Sequence, residues 1–518
     1  MTLLGSLLKR GIKLTGSFRP KKLNPMKLQK KTFIKLLNKA RFTQFGEKFG
    51  FGDMLDAALF HTGKGFYEQY KSKVPIYDYS SIYAEWWHRT RTGEKDVCWP
   101  GRVKYFALSS GTSDAASKFI PVTKDMVKAI KSTSIKQILA LSNYQKLPAR
   151  LYEKGYLMLG GSTELTDAGI YKEGDLSGIT ASNIPYWFQR FYKPGKKISK
   201  YKDWGAKLDL ITRRAKDWDI GYVVGVPAWI QLLMEKIIAY YDVQNIHEIW
   251  PNLEVFCHGG VSFEPYRVGF EKLLGRPITY IETYLASEGF LAYQTHPDVK
   301  AMQLVLNNGI FFEFVPFNDN NFDNEGNIYA TAETLLIDEV EENKDYALLI
   351  STVSGAWRYL IGDTVRFTNV EKAEIIITGR TKHFLSLCGE HLSVDNMNRA
   401  IELVSHELNI DVREFTVIGK PADTLFGHHW YIGTDDTVEA STLIKRIDQH
   451  LKALNDDYAT ERAHALNDVS VTVVPSHVFY DWLAVKGKMG AQHKFPRVLK
   501  KPELIEGWEQ FVKSGRQS

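Results

Sequence analysis

The chain has 518 residues, 44% of them hydrophobic and 24% charged, with a formal charge of only +6. That length exceeds what one hydrophobic core usually serves, so two or more domains are expected, and the composition excludes a disordered or fibrous chain. So small a basic excess argues against a nucleic-acid partner, which would demand a track of cations, and no run of about 20 apolar residues could span a bilayer.

Residues 1–13 carry a Leu-rich patch with basic residues but neither the apolar region nor the cleavage site of a secretory leader, so a surface helix and a cytoplasmic location are expected. Asn24 is placed to cap a helix that begins at Pro25 and keeps its apolar period to Ala40. Pro75-Ile76-Tyr77 marks a turn before a Trp/Tyr-rich helix over 81–89. Strand character over 103–108 precedes a Ser/Gly-rich loop and a helix over 124–141, an order that aims backbone donors at an anion. Short strands over 155–160, 253–258 and 277–283, with a long apolar helix that ends at Tyr241, alternate as in a layered α/β domain. Segments 310–316, 328–331 and 346–353 predict an added antiparallel or barrel-like portion. The acidic run 338–345 is expected as an exposed turn or helix face.

A strand over 373–378 ends at Gly379-Arg380, and a hinge is expected near Thr381, dividing the chain into residues 1–380 and 381–518. The second part predicts helices over 394–408 and 441–454 and strands over 413–419 and 470–475. His428-His429 is expected in a surface turn beside Trp430 and Tyr431, since the pair lacks the spaced partners of a metal site. Cys98, Cys257 and Cys388 form no CxxC pattern, so neither a disulfide framework nor a structural zinc is expected. The fold class is α/β: a large multi-subdomain N-terminal domain with mixed sheets, followed by a smaller α+β C-terminal domain.

Three short stretches could carry chemistry. In Ser109-Ser110-Gly111-Thr112-Ser113-Asp114-Ala115-Ala116-Ser117-Lys118, Gly111 permits a tight path, hydroxyls can donate to phosphate and Lys118 adds a mobile cation. The GxxxxGK[ST] pattern is absent, which disfavours P-loop chemistry, and an ordinary Ser/Gly loop is the alternative. In Tyr284-Leu285-Ala286-Ser287-Glu288-Gly289, Tyr284 could wall a pocket and Glu288 could serve magnesium or orient a nucleotide; a plain strand-end turn is the alternative. Asp363, after Tyr359-Leu360-Ile361-Gly362, suits two hydrogen bonds to ribose hydroxyls or a local backbone cap, and Arg380 a phosphate or ribose contact or an exposed hinge position. Of the basic clusters, residues 486–500 hold the one strong candidate for neutralising a polyanionic nucleotide.

In order and spacing these stretches resemble the GH3 acyl-acid amido synthetases, a group of acyl-adenylate-forming enzymes. Gly389-Glu390, Tyr458-Ala459-Thr460-Glu461-Arg462 and Gln492-His493-Lys494-Phe495-Pro496-Arg497 extend the resemblance from about residue 75 to the C-terminus. It implies an adenylate-forming N-terminal domain and a mobile C-terminal domain, with ATP, Mg2+ and a small carboxylic acid between them. By the same resemblance, Ser109, Ser110, Gly111, Thr112 and Ser113 form the phosphate loop, and Tyr284, Ser287 and Glu288 lie beside the adenylate, with Glu288 toward magnesium. Asp363 falls at ribose, and Lys494 reaches the phosphate or reacting carboxylate. Ala115 departs from the family pattern, where glycine is usual, and alanine is less permissive of positive φ.

The activity so implied is formation of an acyl-AMP and its conjugation to an amino acid or other amine, with Lys494 and Glu288 as catalytic candidates. A thioester-forming adenylating ligase and a nucleotide-binding interaction protein without turnover are the alternatives. Aromatic stretches at Tyr186-Trp187-Phe188 and Phe311-Phe312-Glu313-Phe314 either wall the acid pocket or pack the core.

Overall fold

The structure, a computed structural model, describes residues 24–60, 64–109, 118–144, 146–184, 189–323, 326–382, 384–385, 392–422, 425–455, 458–459, 461–462, 466–487 and 494–515. The expected helix over 1–13, the trio Tyr186, Trp187 and Phe188, and Cys388 lie outside the described residues.

The first described helix, Pro25–Ala40, begins as its cap residue dictates: Asn24 accepts the Lys27 N–H at 2.8 Å, and Pro25, which has no N–H to satisfy, takes the first turn. Its buried face holds Phe33, Leu36 and Leu37. Gln29 on the same face donates to the carbonyls of Leu306 and Ile310 at 2.8 and 3.1 Å and accepts the Phe312 N–H at 2.7 Å. The helix is thereby tied to a strand nearly three hundred residues away. The helix expected over 81–89 is present as Tyr79–Ile82, a π-helical turn at Tyr83–Trp87 and His88–Arg91.

Strands β1 (Tyr105–Ser109), β2 (Lys118–Val122), β3 (Gly155–Met158), β4 (Thr166–Asp167), β5 (Lys172–Gly174) and β6 (Tyr192–Lys193) fall in the first two hundred residues. They are followed by β7 (Ile220–Gly225), β8 (Val255–Gly259), β9 (Thr279–Ala286), β10 (Gly289–Tyr293), β11 (Met302–Leu304) and β12 (Ile310–Pro316). Next come β13 (Asp345–Thr352), β14 (Tyr359–Asn369), β15 (Glu374–Arg380), β16 (Phe384–Leu385) and β17 (Leu392–Ser393). The last are β18 (Val412–Ala422), β19 (Leu425–Thr434), β20 (Leu466–Val474) and β21 (Val498–Leu499).

Eleven strands form one sheet in the order β12-β13-β14-β15-β11-β10-β9-β8-β7-β3-β6. From β6 to β9 its pairs are parallel, and from β9 to β12 antiparallel, so the expected antiparallel portion continues the parallel one through the hairpin β9–β10. Helix Pro227–Tyr241 covers the parallel end, and the N-terminal helices cover the antiparallel end. A four-stranded sheet β2-β1-β5-β4 carries the Ser/Gly-rich loop between β1 and β2. Residues 328–331, expected as a strand, contribute only an isolated bridge between Phe322 and Ile328. The acidic run 338–345 is turn and loop up to Asp345, which opens β13; Asp338 and Glu339 pair with Lys64, and Glu341 with Lys344.

After β15 the chain forms the two-stranded β16-β17 and a further four-stranded sheet, β20-β19-β18-β21, flanked by helices Val394–Leu408 and Ala440–Leu454. Here one expectation is corrected: His428 and His429 lie within β19, not in a surface turn. His428 is buried, and the His429 ring meets the hydroxyls of Ser470 and Thr472 at 2.7 and 3.0 Å. Polar residues at the middle of a strand escape a hydropathy pattern when the neighbouring strand supplies hydroxyl partners.

Phe311, Phe312 and Phe314 on β12 are buried in the core. Between them Glu313 is fully buried and pairs with Arg358 at 2.9 Å. Glu313 also accepts from the Tyr67 hydroxyl at 2.7 Å, while Arg358 donates to the carbonyls of Lys71 and Val74 and to Thr334. This network closes the N-terminal helices onto the antiparallel strands. Arg358→Met leaves a buried carboxylate without its cation and should cost about 3–5 kcal/mol in chemical denaturation. The double variant Glu313→Leu/Arg358→Met should recover most of that loss.

Candidate active site

Three chain segments far apart in sequence meet beside the C-terminal end of β9. The first is the β1–β2 hairpin, whose strands run in register from Tyr105↔Val122 to Ser109↔Lys118. Ser110, Gly111, Thr112, Ser113 and Ala115 lie outside the described residues; Ser109 and Lys118 are the facing pair at the loop's mouth. Burial lowers the Lys118 pKa, the Glu288 carboxylate opposes that shift, and Arg380 adds to it, so these groups feel one another across the site.

The second segment is the β9–β10 hairpin. Ala286 pairs with Gly289, leaving Ser287 and Glu288 as its two-residue tip. A hairpin tip normally faces water. Here Glu288 is buried, and the Tyr359 hydroxyl donates to it at 3.4 Å. Desolvation, reinforced by the Asp363 charge, pushes the Glu288 carboxyl up to about 7 against the opposing Lys118 cation.

The third segment is the pair β14–β15. Asp363 does not follow a strand, as its sequence context suggests, but sits inside β14, and its register partner is Arg380. Gly362 just before it has φ +89, and the β13–β14 register shifts beside it. That left-handed residue breaks the strand's alternation. The Asp363 carboxylate then accepts from the Tyr284 hydroxyl at 2.5 Å and from Arg380 Nε at 2.9 Å. A charge-assisted triangle thus spans β9, β14 and β15.

Lys494 reaches the site from the C-terminal part of the chain. Its ammonium donates to the carbonyl of Gly260, which follows the C-terminal end of β8 with φ +85. Burial and the nearby Arg380 charge lower the Lys494 pKa to about 8, with Asp363 opposing. The end of a parallel strand is where ligands bind in open α/β sheets.

The structure therefore gathers Ser109, Lys118, Tyr284, Ser287, Glu288, Asp363, Arg380 and Lys494 around one region, as their separate motifs suggest. Sequence reasoning passed over two contributors. Tyr359, the first residue of the Asp363 motif, touches Glu288, and Gly260 receives Lys494; a glycine pair after a predicted strand was the available signal for the latter. The Tyr458–Arg462 stretch instead braces the C-terminal core, where both residues bond to Asp448. A separate cleft of about 620 Å³, lined among others by Lys48, Lys71, Lys73, Tyr77 and Tyr329, includes none of the candidate residues. Among the described residues no group of three or more His, Cys, Asp or Glu side chains is set to hold a metal ion.

Family models for the N-terminal, central and C-terminal GH3 domains match residues 15–212, 303–378 and 395–503. The chain belongs to the GH3 family. Over 294 residues this GH3 chain is 26% identical to indole-3-acetic acid-amido synthetase GH3.4 of Arabidopsis thaliana, an alignment covering 52% of this chain and 48% of the relative. It thus spans about half the length of that relative. It is 23% identical over 460 residues to jasmonoyl–L-amino acid synthetase GH3.5 of Oryza sativa subsp. japonica, covering 75% and 77% of the two chains. In fold it is similar to GH3.15 acyl acid amido synthetase, with a TM-score of 0.74, 15% identity and coverage of 98% and 96%. It also shares the fold of a 2-hydroxyisobutyryl-CoA ligase in the postadenylation state, with a TM-score of 0.57, 11% identity and coverage of 94% and 91%. No helix among the described residues is long and apolar enough to cross a membrane.

The Gly362 conformation can be tested directly. A Cβ there would find space, its nearest neighbours being Arg380 and Thr381 atoms at 3.9 Å, so the cost of Gly362→Ala is conformational, not steric. Calorimetry should show a loss of about 1–2 kcal/mol.

Proposed function

We propose that this GH3 protein is an ATP-dependent acyl-acid amido synthetase: it activates a small carboxylic acid as acyl-AMP and transfers the acyl group to an amino acid or other amine. The observation that carries this reading is the meeting of the β1–β2 loop mouth, the Glu288 hairpin tip and the Asp363–Arg380 pair with Lys494. Family membership and the adenylate-forming fold support it.

In the first step a carboxylate oxygen of the acid attacks the α-phosphorus of ATP. The new oxygen–phosphorus bond forms as the α–β bridging bond breaks, and pyrophosphate leaves with that electron pair. No protein nucleophile is required. Donors of the Ser109–Lys118 loop and the Lys494 ammonium offset charge on the phosphate oxygens, while Asp363 holds the ribose hydroxyls by exchanging its present Tyr284 and Arg380 contacts in part. In the second step the amine nitrogen attacks the acyl carbon, AMP departs with the bonding pair, and the nitrogen loses a proton.

Magnesium fits Glu288 on the chemistry of the site. A buried carboxyl pushed up to about 7 becomes a full carboxylate beside a cation, and a single protein carboxylate plus substrate phosphates is a common magnesium donor set. When bound, the ion would neutralise phosphate charge. The lid we infer is residues 381–518, turning near Thr381, whose N–H donates to the Gly362 carbonyl at 2.8 Å directly after β15. Closure of such a lid excludes water from a hydrolysable acyl-AMP.

Acid-dependent ATP–pyrophosphate exchange across a panel of small acids tests the first step, followed by AMP release with separate amine and thiol pools. AMP release stimulated by amines and not by thiols is expected; thiol-only stimulation would make the chain a thioester ligase, and ATP binding without exchange an interaction protein. Lys494→Met should slow exchange by about 100-fold or more while leaving acid binding within about twofold. Because burial lowers the Lys494 pKa to about 8, its cation is lost as pH rises through that value, so exchange should fall above about pH 8. The free enzyme's profile, kcat/KM for ATP, reads this pKa, and one flat to pH 10 would contradict it.

A further inference from the structure

Lys494 lies on a segment without regular structure, so something else must fix its ammonium. Phe495 is buried against Phe479 and Trp508, with ring centroids 4.7 Å apart in each case. Two residues later Arg497 is buried too, and its carbonyl accepts the Val417 N–H at 2.9 Å. Its guanidinium donates to Glu414 at 2.6 Å, to the Phe415 carbonyl at 3.1 Å and to the Tyr266 hydroxyl at 3.1 Å. Tyr266 in turn donates to the second Glu414 oxygen at 3.0 Å, which closes a triangle of buried groups.

Glu414 and Arg497 belong to the C-terminal part, whereas Tyr266 stands six residues after Gly260, the group that receives Lys494. Segments 260–266 and 494–497 are therefore braced at both ends, by Lys494 on Gly260 and by Arg497 on Tyr266. Tyr266, Glu414, Lys494 and Arg497 line one small cavity with Trp229 and Tyr480. Other bonds across the same seam, Arg413 to Glu235 at 2.9 Å and Gln231 to Asp411 at 3.1 Å, join the helix Pro227–Tyr241 to the start of β18. They hold the two parts together without touching the Lys494 segment.

We propose that Tyr266 is a positioning residue for adenylation: through Arg497 it sets where the Lys494 ammonium meets the phosphate, while itself touching no substrate. This rests on the assignment of Lys494 to the adenylation step. Tyr266→Phe is the informative variant, because it keeps the buried ring and leaves Glu414 paired with Arg497. A misplaced catalytic group costs rate, not substrate affinity, so kcat for pyrophosphate exchange should fall about 10- to 100-fold with both KM values within about twofold. The double variant Tyr266→Phe/Lys494→Met should be no slower than Lys494→Met alone, since the two changes remove one function.

Hydrogen exchange of residues 494–499 gives a readout independent of turnover: it should speed up at least about tenfold in Tyr266→Phe. Losses that multiply in the double variant, a change confined to KM, or unaltered hydrogen exchange would each overturn the proposal. Absence of pyrophosphate exchange in the unaltered protein would instead overturn the adenylation reading beneath it, and the two failures are told apart because hydrogen exchange needs no substrate.

Discussion

The triangle of Tyr284, Asp363 and Arg380 is the contact on which the site depends. A carboxylate in the interior of a strand has few ways to be satisfied, and here each oxygen is claimed by a different neighbouring segment, one by a hydroxyl at 2.5 Å and one by a guanidinium at 2.9 Å. Those donors stand on β9 and β15, so the carboxylate ties the neighbouring strands β14 and β15 to β9, which lies beyond β11 and β10 in the sheet. Gly362 makes this possible by bending β14 where a residue with a Cβ would resist. Everything nearer the chemistry, including the Glu288 tip and the mouth of the β1–β2 loop, takes its place relative to that frame.

A second constraint governs the seam between the two parts of the chain. Beside the ring contact of Trp229 with Tyr480, polar groups cross it: Tyr266 meets Glu414 and Arg497, and Gln231 meets Asp411. Such groups are costly to leave unpaired, so they favour a defined docking geometry over a sliding apolar contact. The lid proposed above, which would deliver one ammonium to one phosphate, needs that definition. The Lys118 and Lys494 ammonium groups have lowered pKa values through partial desolvation and the nearby Arg380 charge.

Much of this was legible in the sequence. The Asn24-Pro25 start, the helices after Thr123 and Ser393, and the strands around residues 310 and 350 follow from local capping and alternation, because the determinants lie within a few residues of one another. The three site motifs were visible as well, since each combines a glycine with a charged or hydroxyl residue near a strand. Other features were not. β19 was hidden because its histidines find partners on β20, forty residues away, and the π-helical turn at Tyr83–Trp87 carries no periodicity of its own. That Asp363 lies inside β14, and that Arg380 is its partner and not a free hinge cation, depends on a register set by a bulge. The Tyr266–Glu414–Arg497 triangle joins residues whose separations, 148 and 83 positions, no local pattern encodes.

The most direct test is a crystal structure with a non-hydrolysable acyl-adenylate analogue. The account predicts the ribose hydroxyls on Asp363 and the phosphate between the Ser109–Lys118 loop and Lys494. An analogue bound elsewhere, for instance in the cleft beside Lys71 and Tyr77, with Asp363 still closed on Tyr284 and Arg380, would contradict it.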